Sequence, residues 1–273
     1  MKKKIFYSAA AVLIILSAAC LTAHFLLRPP AAKHIEPPAP TQAPTFTPAP
    51  TPTQTPPPEE TEPPEQPYVS PIDFDALAEI NPDIYAWLEI PGTDISYPVL
   101  QSENDSFYLD HDENKNYASA GSIFSESAYN GKDFSDPVTV LYGHRMGSGA
   151  MFGQLQKLYS DPEKFSELNE IVIYLPDREI RYNVFAAVPL DNRHILYSYD
   201  FGSARHFKAF FDEIFDIRAI GSNLDKDGKP SYDNKVIILS TCLMGDRSCR
   251  FLVMGSYEPE AVDGYEDTVA YQE

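Results

Sequence analysis

Lys235-Val236-Ile237-Ile238-Leu239-Ser240-Thr241-Cys242 and Arg250-Phe251-Leu252-Val253-Met254-Gly255 are the two segments from which the fold is read. Each is a short run dominated by β-branched and aliphatic residues, the pattern of a buried strand. The connection between them, Leu243–Cys249, is short enough for neighbouring strands of one sheet. Such pairing brings Cys242, at the end of one strand, to the same rim as Arg250, at the start of the next. A thiol beside a guanidinium is electrostatically favoured as the thiolate, the form that acts as a nucleophile. A buried structural cysteine and a surface arginine is the plain alternative, so the pair needs support from elsewhere in the chain.

Working outward, other strands and helices follow. Ile84–Ile90 runs into the turn Pro91-Gly92-Thr93-Asp94, and Ile95–Leu100 continues as a strand. Val138–Tyr142 is a strand ending in Gly143-His144. Ala150–Lys157 has helical spacing. Ile171–Leu175 and Ile180–Val188 read as a hairpin across Pro176–Glu179. Asp73–Ile80 is a short helix that stops before Asn81-Pro82. Ser203–Ile217 is the best amphipathic helix, with Phe207, Phe210, Phe211, Ile214 and Ile217 on its apolar stripe. Short strands dominate without regular βαβ alternation, which points to a mainly β, closed or nearly closed barrel with peripheral helices.

The 273-residue chain has unlike parts, and its net charge is -19. Residues 1–4 form a basic tip. Residues 5–27 are 23 uncharged, mostly apolar residues, enough for a transmembrane helix across about 30 Å of hydrocarbon. The lysines before it place the N-terminus in the cytoplasm and the rest of the chain outside. A cleaved signal peptide at Ser17-Ala18-Ala19 fits less well, because the apolar run continues past it. A lipoprotein signal at Cys20 is disfavoured by Ser17 three residues before it. Residues 28–67 hold most of the chain's 25 prolines and read as an extended linker. Residues 68–257 are the folded domain, and 258–273 an acidic tail. No basic block follows the N-terminal tip, which argues against nucleic-acid binding.

The histidines His24 and His34 fall in the span and the linker, while His144 directly follows an apolar strand. Cys242, His144 and Arg250 thus all stand at strand ends. In that set Cys242 attacks a carbonyl, Arg250 and backbone N–H groups steady the oxyanion, and His144 protonates the leaving amine. No metal and no cofactor is expected. Asp110–Asn116 and Asn223–Gly228 begin like calcium loops, but Lys115 stands where glycine is required and Asn234 where a closing glutamate is required. Cys249, adjacent to Arg250, raises the question of a disulfide with Cys242, which would abolish the nucleophile.

Taken together these segments resemble the sortases, the membrane-anchored cysteine transpeptidases of Gram-positive surfaces, and class B in particular. The resemblance is carried by Leu239-Ser240-Thr241-Cys242 with Arg250, and by Tyr142-Gly143-His144 with Met151-Phe152-Gly153-Gln154-Leu155. Asn81-Pro82-Asp83-Ile84-Tyr85-Ala86-Trp87-Leu88, Tyr97-Pro98-Val99-Leu100-Gln101 and Gly121-Ser122-Ile123-Phe124 add to it. It implies an eight-stranded barrel, a thioacyl intermediate on Cys242, and cleavage of a C-terminal sorting signal after a threonine. The acceptor would be a peptidoglycan amine, or, in a pilin-type variant, a subunit lysine; a catalytically silent tethered module is the third reading. The resemblance further implies that Ser240 and Thr241 lie by the signal's groove. The loop Leu243–Cys249 departs from the family, and its Arg247 is a second candidate cation.

Overall fold

A computed structural model describes residues 68–246 and 248–259. The basic tip 1–4, the expected span 5–27, the whole linker 28–67, nearly all of the tail, and Arg247 lie outside the described residues. In chain order the elements are α1 (Phe74–Ile80), β1 (Ile84–Glu89), β2 (Ser96–Leu100), a 3₁₀ turn (Phe107–Leu109), β3 (Ile123–Phe124) and β4 (Val138–Tyr142). Then come α2 (Leu155–Tyr159), α3 (Pro162–Glu167), β5 (Glu170–Tyr174), β6 (Glu179–Asp191), α4 (Ile195–Ser198), α5 (Ala204–Asp216), β7 (Asn223–Leu224), β8 (Lys235–Cys242) and β9 (Cys249–Tyr257).

The sheet runs β5-β1-β2-β3-β4-β8-β9-β6, and β6 pairs back onto β5, closing an eight-stranded barrel. The two-residue β7 is appended to β6. Only β2–β3 and β4–β8 are parallel.

Strand alternation sorts the side chains into two layers. Leu141, Ile237, Leu239, Phe251 and Val253 fill the barrel interior with residues from the other strands. Val138, Val140, Val236, Ile238, Leu252 and Met254 face outward, where Phe207, Phe210, Phe211 and Ile214 of α5 cover them. Both faces of β8 are buried, which is why its sequence is an unbroken apolar run. The helical stripe is the expected one, except that Ile217 caps the helix. A second outer face, around Ile84, Trp87 and Leu100, is covered by α1 through Leu77.

Two features depart from the sequence reading. The helix expected over Ala150–Lys157 starts only at Leu155. Gly149 and Met151 adopt positive φ, 91° and 54°, a left-handed backbone that no right-handed helix tolerates. The chain between them turns, with Phe152 N–H donating to the His144 carbonyl at 3.1 Å. The second departure is in β6, where the register shifts between Val184 and Ala186. Before this bulge Tyr182 and Val184 face the interior, and after it Ala187 does. One extra residue reverses the face that each parity presents, so the even-numbered residues of β6 serve the interior up to Val184 and α5 from Ala186 onward.

β4 has an unusual edge. β3 contributes two residues and meets β4 only at Phe124↔Tyr142. The rest of that edge is served by the buried side chain of Asn130, whose Nδ2 donates to the Val138 carbonyl at 2.9 Å. Its Oδ1 accepts from the Val140 N–H at 3.1 Å. Gln101 Nε2 in turn donates to the Asn130 carbonyl at 2.9 Å and to Ser125 Oγ at 3.1 Å. Asn130 thus acts as a one-residue substitute strand, holding the element that carries His144.

Candidate active site

β8 and β9 pair so that Cys242 and Arg250 are direct cross-strand partners. Directly opposed residues of an antiparallel pair point to the same face. Arg250 Nη1 donates to Cys242 Sγ at 3.3 Å. The hairpin closes through Leu243 N–H to the Cys249 carbonyl at 3.1 Å, and Gly245, at φ 89°, supplies the left-handed turn residue. A guanidinium so placed can donate to the sulfur and to an oxyanion formed beside it.

Cys249 is one residue before Arg250 and therefore projects from the opposite face to Cys242. Both thiols are free. The disulfide considered from the sequence is not formed, and alternation is the reason: a bridge would require one strand to slip by a residue.

β4 lies parallel to β8 with Tyr142 opposite Ser240. Gly143 N–H extends the ladder by donating to the Ser240 carbonyl at 3.2 Å. Two residues beyond Tyr142 the chain reaches His144, and two beyond Ser240 it reaches Cys242. The ladder therefore brings the backbone of His144 and Cys242 to one rim of the barrel. His144 Nε2 lies 2.7 Å from the Leu109 carbonyl. A carbonyl only accepts, so Nε2 carries a proton and Nδ1 is the nitrogen left for chemistry.

Gly143 has no room for a side chain. A Cβ there would stand 2.5 Å from Ile123 Cδ1 and 2.6 Å from Phe152 Cδ2. Gly143→Ala is expected to cost about 1–3 kcal/mol through overpacking, read as a lower denaturation midpoint. An unchanged midpoint would show that the two side chains give way freely.

Ser240 shares the face of Cys242 and is buried. Thr241 points the other way, paired with Phe251, and its hydroxyl is buried without a hydrogen-bond partner. Of the two residues that the resemblance sets by the signal's groove, one thus shares the face of the thiol and the other points to the opposite face.

Sequence reasoning assigned no part to four further groups. The Leu109 carbonyl, 35 residues from His144, holds the imidazole. Tyr142 lies beside Glu126, and burial, followed by that carboxylate, pushes its phenol well up. His194 Nε2 closes on the Glu126 carboxylate at 3.0 Å. Only Tyr142, inside the Tyr142-Gly143-His144 segment, had a local signal. Among the described residues no group of three or more acidic, histidine or cysteine side chains is arranged to hold a metal ion. In the first calcium-like loop, Asp112 Oδ1 accepts from the N–H groups of Asn114 and Asn116 instead, at 3.0 and 2.8 Å.

The sortase domain model matches residues 88–258. A sortase B of Listeria monocytogenes is 32% identical over 169 residues, covering 61% of this chain and 65% of that protein, just under two thirds of it. A sortase B of Staphylococcus aureus is 30% identical over 179 residues, covering 65% of this chain and 70% of that protein. Among solved structures, a class B sortase of Streptococcus pyogenes involved in pilus biogenesis superimposes with a TM-score of 0.57. It is 26% identical, over 68% of this chain and 97% of that one.

Proposed function

The chain belongs to the sortase family of cysteine transpeptidases, on its class B side, and from that premise we propose that it joins exported proteins to the cell wall. In this reading the enzyme cleaves a C-terminal sorting signal after threonine and passes the acyl group to a peptidoglycan amine. It works outside a membrane that it spans once through residues 5–27, its N-terminus cytoplasmic, with the linker as a spacer. The lysines ahead of the apolar run support that orientation.

The observation that carries the reading is the 3.3 Å contact from Arg250 Nη1 to Cys242 Sγ, on the rim to which the β4–β8 ladder also brings His144. Cys242 Sγ attacks the threonine carbonyl carbon. The electron pair moves onto the carbonyl oxygen, where the Arg250 guanidinium meets it. As the tetrahedral adduct collapses, His144 gives a proton to the departing amine and the C–N bond breaks, leaving a thioester. An incoming amine then attacks that thioester, and Cys242 leaves as the thiolate.

Intact-mass analysis after incubation with a sorting peptide tests this. An acyl adduct is expected on the wild type and none on Cys242→Ala. A folded protein that forms no adduct with any threonine-containing sorting peptide would point to a silent tethered module. A second reading, polymerisation of subunits through a lysine amine, is favoured by the structural likeness to the Streptococcus pyogenes enzyme of pilus biogenesis. Turnover driven by a subunit lysine, and not by diaminopimelate, would select it.

A further inference from the structure

Near its thiol end β8 parts from one of its two neighbours. The Gly143 N–H to Ser240 carbonyl bond continues the β4–β8 ladder past Tyr142, and His144 then turns toward the Leu109 carbonyl. On the β9 side pairing runs on past the thiol, through Arg250 and then through the Leu243 N–H to Cys249 carbonyl bond. Ser240 turns its carbonyl to β4 and Leu243 its N–H to β9, so by alternation the Met244 N–H faces the β4 side. There Gln156 Oε1 accepts it at 2.8 Å. Gln156 stands on α2, in the stretch of chain that runs on from His144.

That stretch is a fixed platform. Phe152 N–H returns to the His144 carbonyl, Met151 N–H donates to Tyr97 Oη at 3.0 Å, and Arg145 bridges Met151. Leu155 and Tyr159, both fully buried, seat α2 on the barrel interior. Asn223 Nδ2 donates to the Tyr159 carbonyl at 2.7 Å and holds the far end of the helix.

We infer that Gln156 is a positioning residue for the reaction: it stands in for a further rung and holds the thiol end of β8 against the segment that carries His144. The inference rests on the transpeptidase reading and adds the residue that aligns its acid with its nucleophile. Cys242 is bracketed, with the Gly143–Ser240 rung before it and the Gln156–Met244 bond after it. The contact of Cys242 with Arg250 has the β8–β9 ladder behind it and does not depend on Gln156. An N–H donates, so the carboxamide oxygen faces Met244, and another acceptor of the same reach will serve. The bond lies at the surface, so its loss falls on local geometry more than on global stability.

Proton delivery is the step that feels this geometry. When the adduct of an amide substrate collapses, His144 must reach the departing nitrogen while Cys242 is bonded to the carbon, and a misplacement of about 1 Å can cost about 100-fold. A nitrophenyl ester of the same acyl segment expels a phenolate that needs no proton. Its acylation reports on Cys242 and Arg250 without His144.

The test uses the full chain, a threonine-containing sorting peptide, and the nitrophenyl ester of that peptide ending at the threonine. Gln156→Leu removes the acceptor at similar size, and Gln156→Glu keeps it. In the leucine variant the Met244 amide is expected to exchange about five- to tenfold faster. Single-turnover acylation by the peptide should slow about tenfold at saturation, with the half-saturating concentration and the ester rate each changed by less than about threefold. The glutamate variant should stay within about threefold of wild type in all of these. Unchanged Met244 exchange or unchanged peptide acylation in Gln156→Leu would overturn the role. So would equal slowing of peptide and ester, or a glutamate variant as slow as the leucine one, since either marks a residue of packing alone. A wild type that forms no thioester from either substrate would instead overturn the transpeptidase reading, and this inference with it.

Discussion

Arg250→Ala is expected to slow acylation of Cys242 by about 10²–10³-fold, the usual loss when one preorganised donor to a developing oxyanion is removed. Two jobs fall to this side chain. On the proposed mechanism its Nη1, 3.3 Å from Sγ in the resting site, first meets the charge on the attacking sulfur. In the tetrahedral adduct the same fork meets the carbonyl oxygen. Alkylation by iodoacetamide involves the thiolate but forms no oxyanion, so it separates the two. If the oxyanion role dominates, Arg250→Ala slows acylation by two to three orders of magnitude but alkylation by less than tenfold. Arg250→Lys keeps the charge and loses the planar fork, so its acylation rate should fall between the two. The measurement is single-turnover thioacyl formation at saturating sorting peptide. A rate within threefold of wild type for Arg250→Ala would remove Arg250 from the chemistry and leave it a packing residue.

How much of this was legible depends on how local each signal is. Cys242 and Arg250 were readable because one apolar run, one short loop and a second run leave little choice but a hairpin. The orientation of Cys249 was left open by the sequence reading and follows only from the β8–β9 register, whose alternation turns it away from Cys242. The same alternation sets Thr241 against Phe251 and away from the thiol. His144 needed one non-local fact, that β4 pairs with β8 in parallel from Val138↔Val236 to Tyr142↔Ser240. A closed or nearly closed barrel was expected from short strands without βαβ alternation, but the pairing that closes it was not legible, because it rests on β5–β6 and on a bulge that flips parity within one strand. The helix expected at Ala150 failed for a conformational reason: residues of good helical type sit among left-handed ones, and composition does not report φ. Glu126 and His194 meet across 68 residues, and nothing local announces either.

The largest stability effect is expected at Asn130, far in sequence from every residue of the candidate site. Asn130→Leu removes the side chain that serves the β4 edge at Val138 and Val140. Each orphaned backbone group, buried beneath a barrel wall, costs about 1–3 kcal/mol. The bond to Asp136 Oδ2 at 3.2 Å is lost as well, so a total of about 3–5 kcal/mol is expected, near the top of the range for single substitutions. Chemical denaturation at neutral pH measures it. Asn130→Asp is nearly isosteric and distinguishes hydrogen bonding from packing. Its carboxylate still accepts from the Val140 N–H but turns a second acceptor toward the Val138 carbonyl and the Asp136 carboxylate. At neutral pH it should therefore destabilise at least as much as leucine. Burial beside these acceptors raises the introduced carboxyl, so acid restores a proton that donates to Val138. The deficit relative to wild type should then shrink as pH falls, whereas the leucine deficit should not. Equal pH dependence for the two variants would mean that volume, not hydrogen bonding, holds this edge. The consequence reaches the site because the β4–β8 register brings His144 and Cys242 to one rim. A strand with an unserved edge frays first where it is least paired. Asn130 variants that remain folded should accordingly acylate more slowly than their loss of folded population explains.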